Sequence, residues 1–181
     1  RLDFSVNIAQ RLHYVYSAIS LTRHALEGKC PLIGFSGAPW TLMCYMIEGG
    51  GSKTMSKAKK WLYQEPEKSH QLLGLLADKV TDHLVEQVRA GAQMVQIFES
   101  NAEYLTLELF QLYALPRILR ICSDFKQRLR SMQIDPVPVI VFAKGGHYAL
   151  EKLAEEANSI DVIGLDWTMD PKKLRSMTTK C

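Results

Sequence analysis

The side chains best suited to chemistry lie just beyond short apolar runs. They are the phenol of Tyr45, the alcohol of Ser100, the carboxyls of Glu99 and Asp166, and the amine of Lys144. A phenol and an alcohol can each donate a hydrogen bond to a ligand oxygen. Ser100 has no evident His–Asp partnership, so a donor to a ligand carboxylate is favoured over a nucleophile; its alternative is the N-cap of the next helix. Glu99 and Asp166 are either acids or charge partners of nearby Lys and Arg, and structural roles are favoured. Lys144 suits an anion, but the Gly145-Gly146 that follows it also suits a plain turn. Phe35, Trp40 and Tyr45 either face a ligand or fill the core.

The elements that must position these groups follow from periodicity. Pro31 to Phe35 is an apolar run of strand length, Ser36 to Pro39 a turn cluster, and Trp40 to Glu48 a helix closed by Gly49. Pro39 fits a first helical position, where its missing N–H has no helical partner. Upstream, Arg1 to Glu27, with apolar Val6, Leu12, Val15, Ile19 and Ala25, reads as an amphipathic helix stopped by Gly28. Downstream, Thr54 to Gln64 is a short basic helix with Ser52 or Thr54 as N-cap, and Pro66 opens a helix to about Ala90. His70 and His83 belong to surface or helix-face positions of that helix. Further strands are expected over Met94–Phe98, Val137–Phe142 and Ile160–Leu165. Helices are expected over Leu105–Met132 with a bend near Pro116, over Tyr148–Asn158, and from Pro171 with Asp170 as N-cap.

Strict alternation of strand and helix predicts a parallel sheet with helical crossovers. Four strand–helix units make about half of a (β/α)8 barrel, whose eight usually need ~250 residues. The rival is a doubly wound sheet, yet no glycine-rich dinucleotide fingerprint follows a strand. In a barrel all four strand exits share one rim, and aromatics, a hydroxyl, a carboxylate and glycines there suit a large, flat, partly apolar ligand with polar edges.

The 181 residues are 47% hydrophobic and 23% charged, with a net charge of +3 and dispersed basic residues. That balance argues for an ordinary globular domain and against nucleic acid or an acidic membrane surface as partner. Cys30, Cys44, Cys122 and Cys181 form no Cys-x-x-Cys pair, which points to reduced thiols and away from a zinc site. No apolar run approaches the ~18 residues of a membrane span. Gly49-Gly50-Gly51-Ser52-Lys53-Thr54 has the wrong spacing for a phosphate loop.

One stretch carries a resemblance. Gly34 to Gly49, GFSGAPWTLMCYMIEG, is similar to the second signature of the uroporphyrinogen decarboxylase family. Gly34, Phe35, Ser36, Gly37, Pro39, Trp40, Thr41, Leu42, Tyr45, Glu48 and Gly49 match, eleven of sixteen positions, and the likeness extends to about Pro171. The resemblance implies a TIM barrel that decarboxylates the four acetate side chains of uroporphyrinogen to give coproporphyrinogen without a cofactor. It implies that Tyr45 and Ser100 contact the porphyrinogen and that Phe35 and Phe98 line its apolar pocket. Asn101 stands where many members carry His, at the polar edge of that pocket. The family's Met-Arg-Gln-Ala-Gly-Arg segment, a strand-end Asp and a late His do not occur in residues 1–181. The expectation is therefore a single-domain central piece of a longer, cytosolic, homodimeric enzyme, with no catalytic residue of its own and no activity in isolation. The rival readings are a cobamide-dependent methyltransferase of the same superfamily, whose His-x-Cys zinc motif is absent from the sequence, and a non-catalytic half-barrel scaffold.

Overall fold

The computed structural model describes residues 3, 5–155 and 159–177. Helices α1 (Ile8–Arg11) and α2 (His13–Ala25) lead into strand β1 (Ile33–Gly37). Next come α3 (Pro39–Glu48), α4 (Ser56–Gln64), the long α5 (Pro66–Arg89) and β2 (Met94–Glu99). A 3-10 turn (Ala102–Tyr104), α6 (Leu107–Leu109), a π turn (Phe110–Ala114), α7 (Leu115–Ser131) and β3 (Val139–Ala143) follow. The described chain ends with a 3-10 turn (His147–Ala149), α8 (Leu150–Glu155), β4 (Val162–Gly164) and α9 (Pro171–Met177).

Among the described residues the four strands form one parallel sheet in the order β1-β2-β3-β4. Each strand lies beside its successor, with no reversal of direction. A doubly wound sheet reverses at its switch point, whereas a barrel always advances one way, so this is the strand order of a partial (β/α)8 barrel.

Period-two alternation divides the sheet into unlike faces. Val95, Ile97, Val139 and Val141 are fully buried, in one apolar core with α5 and α7. Helix α5 contributes Leu73, Leu76, Val80, Leu84 and Val88 at helical spacing; α7 contributes Ile118, Ile121, Phe125 and Leu129. Each such side chain, fully buried, stabilises the fold by about 1.5–3 kcal/mol before chain entropy is counted. The other face carries Phe35, Phe98 and Phe142, of which Phe35 is 61% exposed.

Several boundaries depart from the sequence reading. β1 begins two residues later than expected and runs through Ser36 and Gly37, because both pair with β2 at Ile97 and Phe98. The N-terminal helix breaks at Leu12, and α2 buries only Tyr16. Helix α4 starts from Met55 in a left-handed conformation (φ 48°), and neither Ser52 nor Thr54 is its N-cap. The Glu48 carboxylate, arriving from the end of α3, accepts from the Ala58 N–H at 3.0 Å and satisfies one of the orphan donors of α4. The helix expected from Leu105 begins only at Leu107, with Thr106 accepting from the Leu109 N–H. It winds into the π turn immediately before Pro116, which cannot donate to Leu112; the Arg117 guanidinium donates to that carbonyl instead, at 3.4 Å. β3 and β4 are both shorter than expected, and residues 156–158 of the helix expected over Tyr148–Asn158 lie outside the described residues. Asp170 and Pro171 stand as N-cap and first residue of α9, with the Lys172 N–H on Asp170 Oδ1 at 2.9 Å.

Gly34 has no room for a side chain. A Cβ there would meet Gln87 Oε1 at 2.8 Å and the Ala92 methyl at 3.1 Å. That space is used: buried Gln87 accepts from the Phe35 N–H at 3.0 Å and donates to the Phe35 carbonyl at 2.9 Å. Gly34→Ala is therefore expected to lower unfolding stability by about 1–3 kcal/mol, as overpacking does. Urea unfolding checks this, and an unchanged midpoint would contradict it.

Candidate functional site at the carboxyl rim of the sheet

The rim is assembled where β1 hands over to α3 and β2 ends. The Ala38 N–H donates to the Phe98 carbonyl at 2.8 Å, extending the ladder past the last residue of β1. Pro39 then opens α3, and its first turn carries Trp40 and Thr41 inward, both buried. The Trp40 indole N–H donates to the Asn101 carbonyl at 3.1 Å. The Thr41 hydroxyl donates to Glu99 Oε1 and accepts from the Ser100 N–H at 2.8 Å. Helix α3 and the β2 exit are thus joined by three bonds from neighbouring residues.

Glu99 follows Val95 and Ile97 on the buried face and is fully enclosed. Burial pushes its carboxyl up to about 8, outweighing the opposing hydrogen bond from Thr41, so it is a neutral acid at pH 7. Its Oε2 and the Asn101 amide nitrogen are buried without a partner among the described residues. Beside them the Cys44 thiol is also buried, and burial raises its pKa. Tyr148, whose hydroxyl donates to the Ala102 carbonyl at 2.6 Å, has its pKa raised by burial as well.

Ser100, half-buried, caps no helix: the following 3-10 turn starts from Asn101 without a side-chain cap. The N-cap alternative therefore does not hold. Tyr45 lies four residues after Thr41, one helical turn along α3, and is 49% exposed. Of the three aromatics of the signature, only Trp40 is a core residue. Phe35 meets Phe98 edge-on at 5.8 Å, and Phe98 meets Phe142 edge-on at 5.8 Å, making an aromatic row across three strands on the open face. Asn101 is buried, and its main-chain carbonyl accepts from Trp40.

The remaining groups are structural. Asp166 accepts from the Gly145 N–H at 2.7 Å and from the Thr168 N–H at 2.9 Å, tying the β4 exit to the β3 exit. Bonds from Thr168 first, then Gly145, lower its pKa. Among the described residues neither Glu99 nor Asp166 pairs with Lys or Arg, and hydrogen bonds hold both instead. Lys144 pairs with Glu103 at 2.9 Å. His70 stacks on Tyr113, and His83 bonds the Tyr16 hydroxyl at 3.0 Å; both are helix-face residues. Sequence reasoning met Thr41 as a signature position and Phe142 as a strand end, and gave neither a role of its own. Period-two alternation through Val95, Ile97 and Glu99 was the available signal that Glu99 turns inward, toward a buried hydroxyl.

An acid whose folded pKa is raised above its unfolded value of 4.5 contributes stability below that value, and the contribution is lost as pH rises through about 8. Between those limits wild-type stability carries a downward slope of roughly 1 kcal/mol per pH unit from this one proton. Glu99→Gln removes the titration, so its stability relative to wild type is expected to improve steadily from about pH 5 to about pH 8. Urea unfolding across that range measures the gap; a gap independent of pH would contradict the assignment.

A profile of the family described as uroporphyrinogen decarboxylase (URO-D) matches residues 1–181. The human uroporphyrinogen decarboxylase is 55% identical over 173 residues, covering 96% of this chain and 47% of the relative. The Schizosaccharomyces pombe enzyme of that name is 54% identical over 172 residues, 95% of this chain and 47% of the relative. The Danio rerio enzyme is 53% identical over 178 residues, 98% and 48% respectively. The chain thus spans about half the length of the curated relatives it matches. Strand order, signature and these matches agree: the chain belongs to the uroporphyrinogen decarboxylase family.

Proposed function

We propose that this chain is the central part of a uroporphyrinogen decarboxylase, a single-domain piece of a barrel that removes carbon dioxide from the four acetate arms of uroporphyrinogen. The observation that carries the reading is the junction at the rim. The Thr41–Ser100 bond holds the β2 exit against α3, one turn from the half-exposed Tyr45. Phe35, Phe98 and Phe142 lie on the open face of the same three strands.

This arrangement suits a macrocycle with polar arms. The aromatic row offers an apolar bed for pyrrole rings, and aromatic stacking adds about 0.5–1.5 kcal/mol per pair beyond area burial. Tyr45 and Ser100 supply O–H donors for acetate or propionate oxygens. Neither is a proton donor to carbon or a nucleophile in this reading. They orient the substrate, while electrostatic stabilisation of the protonated pyrrole belongs to the Asp and Arg groups of the family pattern. No helix among the described residues is long and apolar enough to cross a membrane. The reading includes a cytosolic homodimer as the working form, in keeping with the family resemblance.

Two outcomes test it. In the full-length protein, Tyr45→Phe and Ser100→Ala are each expected to lower kcat/KM for uroporphyrinogen about tenfold, the order of one hydrogen bond to a charged group. Residues 1–181 alone are expected to release no coproporphyrinogen. Wild-type rates in both variants would overturn the assigned binding roles, and turnover by the isolated piece would overturn its description as a catalytically incomplete part.

A further inference from the structure

We propose that Thr41 is a positioning residue, oriented by Glu99, that fixes the direction in which the Ser100 hydroxyl meets the substrate. The inference rests on the reading of Ser100 as a substrate-binding group and goes beyond it by naming what aims that group.

With the Glu99 acid proton on Oε2, the remaining donors set the proton arrangement. The Ser100 N–H can only donate, so Thr41 Oγ1 must accept there, at 2.8 Å. The Thr41 proton is then free for Glu99 Oε1, the other oxygen it touches. A hydroxyl so engaged has one orientation, and both of its partners are residues of the β2 terminus. All three backbones are held independently. Thr41 sits in the first turn of α3, which Pro39 starts and the Ala38–Phe98 ladder bond anchors. Glu99 is in register with Ala143 of β3, and its carbonyl accepts from the Lys144 N–H at 3.1 Å. Ser100 is the first residue past β2 and lacks the ladder pairing that fixes Glu99, so Thr41 replaces that restraint at the point where the chain turns.

Burial makes the device stiff. Thr41 is 3% exposed and Glu99 is fully enclosed, so water cannot substitute for either partner. The titratable groups that face Glu99 are Cys44 on α3 and Tyr148 beyond β3, both kept protonated by burial. No cation is needed to hold the acid in place, and a glutamine of the same shape offers the same acceptor oxygen to Thr41.

The test is a double-mutant cycle in the full-length protein, read by kcat/KM for uroporphyrinogen and by urea unfolding. Thr41→Val keeps the shape and removes both bonds; it is expected to lower kcat/KM about tenfold. Thr41→Ser restores the hydroxyl and is expected to stay within about twofold of wild type. Glu99→Gln is expected to behave like Thr41→Ser at neutral pH. Thr41→Val combined with Ser100→Ala is expected to cost no more than Ser100→Ala alone, because both changes remove one function. A role confined to stability would instead leave the two losses multiplicative. Multiplicative losses, or a wild-type rate in Thr41→Val while Ser100→Ala is impaired, overturn this inference alone. A wild-type rate in Ser100→Ala overturns the binding role of Ser100 and the inference with it. If Thr41→Val does not fold, Glu99→Gln decides: a tenfold loss in a variant of wild-type stability overturns the scheme, and a retained rate with Thr41→Ser also active supports it.

Discussion

One threonine hydroxyl, shared between a buried carboxylic acid and the first peptide N–H beyond a strand, holds the rim together. A parallel strand must release its chain at its carboxyl end, and there the ladder can no longer restrain the backbone. In this fold the restraint passes to the helix that starts beside it. Thr41 belongs to the β1–α3 unit, while Glu99 and Ser100 belong to β2, so the bond couples two neighbouring strand–helix units at the edge where barrels bind ligands. The acid that orients the hydroxyl is enclosed and neutral, which avoids the cost of an unpaired buried charge.

The two faces of the sheet have opposite tasks, and the pleat separates them. Along β2 the order is Val95, Gln96, Ile97, Phe98, Glu99, alternating core with open face. The same alternation that sends Ile97 into the packing of α5 and α7 sends Glu99 to the buried network and Phe98 to the aromatic row. Because each crossover covers the same side, the helices accumulate on one face and leave the other for the barrel interior. The aromatic row and the rim donors are adjacent for this reason, and no special local structure is needed to bring them together.

Much of this was legible in the sequence. Strand–helix alternation gave the parallel sheet, and eleven matched positions around Tyr45 pointed to the family. Pro39 and Asp170-Pro171 marked helix starts because their constraints are local. What was not legible depended on partners distant in the chain. Ser36 and Gly37 read as a turn, yet pairing 61 residues away makes them strand. Ser52 and Thr54 read as caps, but the carboxylate that serves α4 comes from Glu48. Thr41 is a signature position, but its bonds are not legible until Glu99 and Ser100 are placed beside it. The burial of Asn101 beside Trp40 likewise depends on a partner 61 residues away.

The shared hydroxyl is most directly tested by amide hydrogen exchange at Ser100, followed by NMR in wild type and in Thr41→Val, with the Ile97 amide as internal reference. The account predicts that the Ser100 amide is protected in wild type and exchanges at least about tenfold faster in the variant, while Ile97 is unchanged. Equal exchange of Ser100 in the two proteins would show that Thr41 does not hold it, and the rim would need another anchor.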